Sequence, residues 1–128
     1  MSLRSAAAKV TGHTVDVQPS AAHVRVLVAG EVVAETDRAV LLRETGMPDR
    51  YYVPRADVRA EVLDPSERST HCPFKGDASY VSVEAGGVRV QDAAWSYVEP
   101  IEAVAAIAGH LAFYATDTVT VEVNDAPA

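Results

Sequence analysis

Apolar and polar residues alternate along much of this chain, and the period is two. The stretch "AHVRVLVAG" shows it clearly: Val24, Val26 and Val28 fall on one face, Arg25 and Leu27 on the other. The run turns at Gly30 and returns as "EVVAET", so residues 23–36 read as a β-hairpin. "HTVDVQ" before it has the pattern of an edge strand, and "RAVLLRE" after it that of a further strand. The strongest local signal is "ASYVSVEAGGVRVQDAAWSYV". Two alternating runs there flank Gly86-Gly87, a dipeptide suited to the positive φ angles of a tight hairpin.

Other segments are less regular. "TGMPDR" is a loop marked by Gly46 and Pro48, and "YYVP" a short strand stopped by its proline. "RADVRAEVLDPS" fits one helical turn or a strand, with Pro65 as its end. "PIEAVAAIAGH" predicts about two turns of helix from Pro100 to a stop at Gly109. "HLAFYAT" and "VTVEVND" predict a closing hairpin over Asp117. Short strands at this spacing predict a mainly β fold. The expectation is one compact domain over 13–125, a curved sheet, β-tent or small barrel-like body of about eight strands with one or two short helices. Residues 1–12 are expected to form a flexible tail.

Composition narrows the class. A chain of 128 residues is long enough for one core without staples. One cysteine cannot close an intramolecular disulfide, and "MSLRSAAAKVTGH" has no apolar signal-peptide segment, so a soluble cytoplasmic protein is expected. The longest apolar run, "AVAAIAGHLAFYA", is too short to cross a bilayer, and no membrane partner is expected. The net charge of −7 argues against nucleic acid. Seven of eleven basic residues fall between Arg38 and Lys75, but six acids are mixed among them, so no basic patch overrides the balance. One cysteine and four scattered histidines have no metal-ligand spacing. No metal and no cofactor are expected. A homodimer is left open.

Several residues could carry chemistry. In "STHCPFKGDASY", Pro73 restrains Cys72 to extended backbone and Gly76 frees the chain to turn. The segment reads as a shaped loop that aims Lys75 at one place. Lys75 is a candidate anion ligand or base. Cys72 is either a nucleophile or, as for most free cysteines, a small buried hydrophobe. Lys75-Gly76 reverses the order of a P-loop. "PDRYYVPR" gathers Arg50, Tyr51, Tyr52 and Arg55, residues that bind a carboxylate or phosphate on a flat organic group, although core aromatics and solvated arginines look the same. Tyr51 and Tyr52 must face opposite ways if extended. Trp95 and Tyr97 share a strand face, as core anchors or as a ligand wall, and Ser96 points away. Glu44 ends an apolar strand at a rim or inside; inside, it is an acid/base candidate. His110 is a half-buried histidine or a proton shuttle.

The order "RETG-P-RYYVP--DV", "THCPFKGDASY", "DAAWSYVEP" and "IAGHLAFY" resembles a small family, domain of unknown function 427, sometimes labelled nucleotidyltransferase-like. The resemblance runs from about Val24 to Val123. It places Glu44, Gly46, Arg50, Tyr51, Tyr52, Pro54, Cys72, Pro73, Lys75, Gly76, Tyr80, Trp95, Tyr97, Gly109 and Tyr114 at motif positions. Phe74 departs from it, standing where the family more often has tyrosine, and the N-terminal stretch is shorter and lacks an aromatic lead-in. The resemblance implies a curved β-sheet or β-tent around a cavity, and little about activity. The nucleotidyltransferase label finds no phosphate loop or paired metal-binding aspartates in the sequence.

Three functions follow as expectations. The first is an enzyme of metal-independent acid/base chemistry, of isomerase, cyclase or lyase type, on an anionic or aromatic small molecule. Lys75, Glu44, His110 and Cys72 are its catalytic candidates, with Arg50, Tyr51, Tyr52, Arg55, Tyr80, Trp95 and Tyr97 holding the ligand. The second is a binding module without chemistry for a small ligand or partner. The third is a nucleotide-handling enzyme.

Overall fold

A computed structural model of the chain describes residues 12–124. The expected tail, residues 1–12, lies outside the described residues except for Gly12.

Among the described residues, ten strands form three antiparallel sheets, with no closed barrel. The first sheet has the order β1 (Val15–Pro19), β4 (Val40–Glu44), β5 (Arg50–Tyr52). The second has the order β10 (Val119–Asn124), β2 (His23–Val28), β3 (Glu31–Thr36). The third has the order β6 (Leu63–Cys72), β7 (Gly76–Ala85), β8 (Val88–Ser96), β9 (Ala112–Phe113). The mainly β expectation holds, with ten strands in place of about eight.

The β2–β3 hairpin forms as the alternation predicts, with Val24, Val26 and Val28 buried. At the β7–β8 hairpin, Gly86 and Gly87 both have positive φ. A side chain on Gly86 would come within 2.7 Å of the Ala29 Cβ, so this tip packs directly on the β2–β3 turn.

Two expectations are corrected, and a third is refined. Pro65 does not end an element but lies inside β6. The β6–β7 register shifts between Pro65 and Ser69, and β6 is an edge strand, the two settings that tolerate a residue without an N–H. The two closing strands are not a hairpin: β9 pairs with β8 and β10 with β2, in different sheets. Alternation shows that a segment is a strand, but not which neighbour it finds. The segment after Pro100 is a 3₁₀ helix, Glu102–Ile107, broken by non-helical angles at Val104, and Gly109 follows at positive φ as the expected stop. No helix among the described residues is long and apolar enough to cross a membrane.

Two buried clusters share the third sheet. Val81, Val83 and Ala94 face the first, which is mostly valine. Ala78, Tyr80, Trp95 and Tyr97 face the second. Strand alternation sends neighbours to opposite sides. Tyr51 and Tyr52 divide in the same way, Tyr51 packing on the first cluster and Tyr52 within the second.

Candidate functional site

The second cluster carries charged groups as well as aromatic ones. Val40 and Leu42 turn toward it, and Glu44, two residues on, follows the same face of β4. The carboxylate is therefore inside, with a side chain only 7% exposed. Lys75 reaches it from the turn that joins β6 to β7. Its backbone N–H donates to the Cys72 carbonyl, and its carbonyl accepts from the Ile101 N–H. Gly76, at φ 116°, brings this turn so close to Pro100 that a Cβ would lie 3.3 Å from the Pro100 Cα. Held at both ends, Lys75 donates from Nζ to Glu44 Oε1 at 2.6 Å. His13 Nε2 meets the other oxygen, Oε2, at 3.0 Å, and its ring stacks on Phe74 with centroids 4.1 Å apart.

Beside this charge cluster is an aromatic wall. The Trp95 indole N–H donates to the Tyr52 hydroxyl at 3.0 Å, and the two rings meet edge to face. Tyr114 lies against the other side of Trp95, with centroids 4.3 Å apart. The Arg50 guanidinium sits over both, 5.3 Å from the Trp95 ring and 5.9 Å from that of Tyr114. Among the described residues no carboxylate pairs with Arg50, although most other arginines have one. Lys75 Nζ lies 6.0 Å from the Tyr97 ring centre. Tyr80 bonds Thr70 through its hydroxyl at 2.9 Å, and Arg68 covers its ring.

These groups enclose a cavity of about 170 Å³ lined by Glu44, Arg50, Tyr52, Lys75, Tyr80, Trp95, Tyr97 and Tyr114, with Met47 and Pro48. Burial pushes the Tyr52 and Tyr97 hydroxyls well above the ordinary phenol value. Burial, then a hydrogen bond with Tyr80, raises Tyr114. The three phenols therefore stay protonated and offer hydrogen bonds rather than charge. With Glu44 and Lys75 offsetting each other, Arg50 leaves the cavity locally positive on a chain of net charge −7. Among the described residues no three His, Cys, Asp or Glu side chains gather in a group able to hold a metal ion.

Seven of the residues singled out from sequence meet here: Lys75, Glu44, Arg50, Tyr52, Tyr80, Trp95 and Tyr97. Four do not line this cavity. Tyr51, on the opposite face of β5, lines a separate apolar hollow with Val26, Phe113 and Val121. Arg55 is exposed, in the 3₁₀ turn Arg55–Asp57. Cys72 is a free, half-buried thiol packed against the second cluster. His110 turns back onto the Ala108 carbonyl at 3.1 Å, because Gly109 reverses the chain just before Leu111 enters its bridge with Val53. His13, Thr70 and Arg68 had no signal of their own in the sequence. Tyr114 had one, its place in the "IAGHLAFY" motif.

A search of curated proteins finds no match to this chain. A family model described as a domain of unknown function matches residues 16–125, which takes in all ten described strands except Val15, the first residue of β1, and every lining residue of the cavity. The chain belongs to this family, DUF427.

Proposed function

We propose that the cavity binds a small organic acid, with its carboxylate on Arg50, and that the Glu44–Lys75 pair moves a proton on the bound molecule, as in an isomerase or lyase. One observation carries this reading. A guanidinium with no carboxylate partner among the described residues lies across two aromatic rings, in the same cavity as a nearly buried ion pair. Arginine presents paired donors that match a carboxylate, and the aromatic faces hold it in place without neutralising it.

Size supports a small ligand. About 170 Å³ is below the roughly 300 Å³ where drug-sized sites begin. A nucleotide is the less favoured occupant for the same reason. Within the cavity, Lys75 and the Tyr97 hydroxyl are the donors able to stabilise negative charge developing on the ligand. Glu44 is the base, and His13, on its outer oxygen and 27% exposed, links it to solvent.

A second reading, binding without chemistry, is favoured by the fact that both Glu44 oxygens are already engaged, one by Lys75 and one by His13. A panel of small carboxylic acids, followed by calorimetry and by proton NMR in D₂O, separates the two. The expected result is saturable binding that weakens roughly tenfold or more in Arg50→Met. Exchange of a carbon-bound proton on the ligand should be lost in Glu44→Gln while binding remains. Binding without exchange selects the second reading, and binding unaffected by Arg50→Met overturns both.

A further inference from the structure

The hydrogen-bond donors and acceptors of the cavity are out of balance. Tyr97 is 5% exposed and lines the cavity, and its hydroxyl makes no hydrogen bond among the described residues. Among those residues Ser96 Oγ is the one buried side-chain polar atom that is both sealed off and without a partner. The Tyr97 hydroxyl, equally without a partner, is therefore not sealed, and it opens to the cavity that its residue lines. Lys75 Nζ, 6.0 Å from the Tyr97 ring centre, is its neighbour. An ammonium has three N–H groups, and Glu44 takes one of those on Lys75. Arg50, with no carboxylate partner among the described residues, adds the donors of its guanidinium.

Acceptors are scarce by comparison. Glu44 is the only carboxylate among the lining side chains, and Lys75 and His13 already hold one of its oxygens each. Charge points the same way: Arg50 and Lys75 against Glu44 leave a single positive charge among the lining side chains. A buried polar group is costly unless it finds a partner, so the ligand that fits brings acceptors, one negative charge and few donors of its own. An amino acid brings an ammonium to a carboxylate that is already engaged. A hydroxy acid brings an O–H with the same difficulty, and a dicarboxylate brings one charge too many. A 2-oxo acid brings a carboxylate and a carbonyl oxygen, which are acceptors only.

We propose that the ligand of this cavity is a compact 2-oxo acid, with its carboxylate on Arg50 and its keto oxygen accepting from Lys75 Nζ and the Tyr97 hydroxyl. This rests on the reading that the cavity holds an organic acid on Arg50, and it adds the class of acid. Tyr97 becomes the residue that tells a keto oxygen from a plain carbon, because its hydroxyl has nothing else to bond. The volume of about 170 Å³ suits an acid of this size.

The test is calorimetric titration of the full chain with four acids of nearly equal size: pyruvate, lactate, L-alanine and propionate. Pyruvate should bind about tenfold more tightly than lactate or propionate, with alanine the weakest. Tyr97→Phe should weaken pyruvate about fivefold and leave propionate unchanged, since only pyruvate uses the hydroxyl. The same variant should keep the urea midpoint of the ligand-free chain, because the hydroxyl it removes has no partner there. Pyruvate binding no tighter than lactate or propionate, or an equal loss for pyruvate and propionate in Tyr97→Phe, overturns the proposal. If Arg50→Met still weakens every acid in that case, the reading of the cavity as an organic-acid site stands without it. If no acid binds, or binding ignores Arg50→Met, that reading falls and this proposal with it.

Discussion

The two buried clusters on either side of the third sheet are built from different chemistry. The first is close to a pure aliphatic core, with Val24, Val26, Val28, Val33, Val53 and Val83 all at 1% exposure or less. Short β-branched side chains pack densely on pleated surfaces and leave no polar atom to satisfy. The second holds Tyr52, Tyr80, Trp95 and Tyr97, admits an ion pair, and keeps a void. A core optimised only for stability would fill that void and omit the charges, since buried ion pairs give little net stability. The first cluster holds the domain together. The second uses the stability so obtained to hold open a polar cavity.

The sharpest way to break this contrast is Lys75→Met. It leaves the Glu44 carboxylate inside without its main counter-charge, and an expected loss of about 3–5 kcal/mol follows, read from the urea midpoint. Adding Glu44→Gln removes the orphaned charge and should recover part of that loss. A double variant no more stable than the single one would mean that the pair is not coupled.

Val83→Ala, in the first cluster, should cost about 2 kcal/mol, from two lost methyl groups and the cavity they leave. Ligand affinity in the folded fraction should not change. Arg50→Met is its mirror image. The expected stability change is within about 1 kcal/mol, the scale of a partly exposed cation–π contact, while binding of the acid is lost. If Val83→Ala also abolishes binding, or Arg50→Met unfolds the chain, the division of labour between the clusters is wrong.

The smallest effect lies at the start of β2. Hydrogen bonds, first to Asp37 and then to Glu35, raise the His23 pKa above its ordinary 6.5. The folded state then binds the proton more tightly than the unfolded one. This contribution is complete below about pH 6.5 and is lost as pH rises through the higher folded value. A His23→Gln variant should therefore melt lower than the parent at pH 5.5 and match it near pH 9. A constant difference across that range would show that the two carboxylates do not act through the charged ring.

Much of the fold was legible because strand signals are local. Val24, Val26 and Val28 declare a face within six residues, and Gly86-Gly87 declares a turn within two. Where both faces of a strand meet solvent, the signal vanishes. The polar run "SERSTHC" gives no alternation, yet it forms most of β6, an edge strand held by backbone hydrogen bonds to β7. The short β9 and the exposed β10 had legible strand character but no legible partners.

The site divides along the same line. That Tyr51 and Tyr52 part company, and that Trp95 and Tyr97 share a side while Ser96 does not, was decided by the sequence, because a pleated strand offers only two directions. That Glu44 receives His13 from 31 residues before it and Lys75 from 31 residues after it was decided by the tertiary structure alone. The same holds for the exclusion of His110, the histidine that the sequence singled out, and for the entry of His13, which it did not. Periodicity is a property of neighbours along the chain, whereas a cavity is made where separate sheets meet, and the energies that set their approach are spread over the whole core.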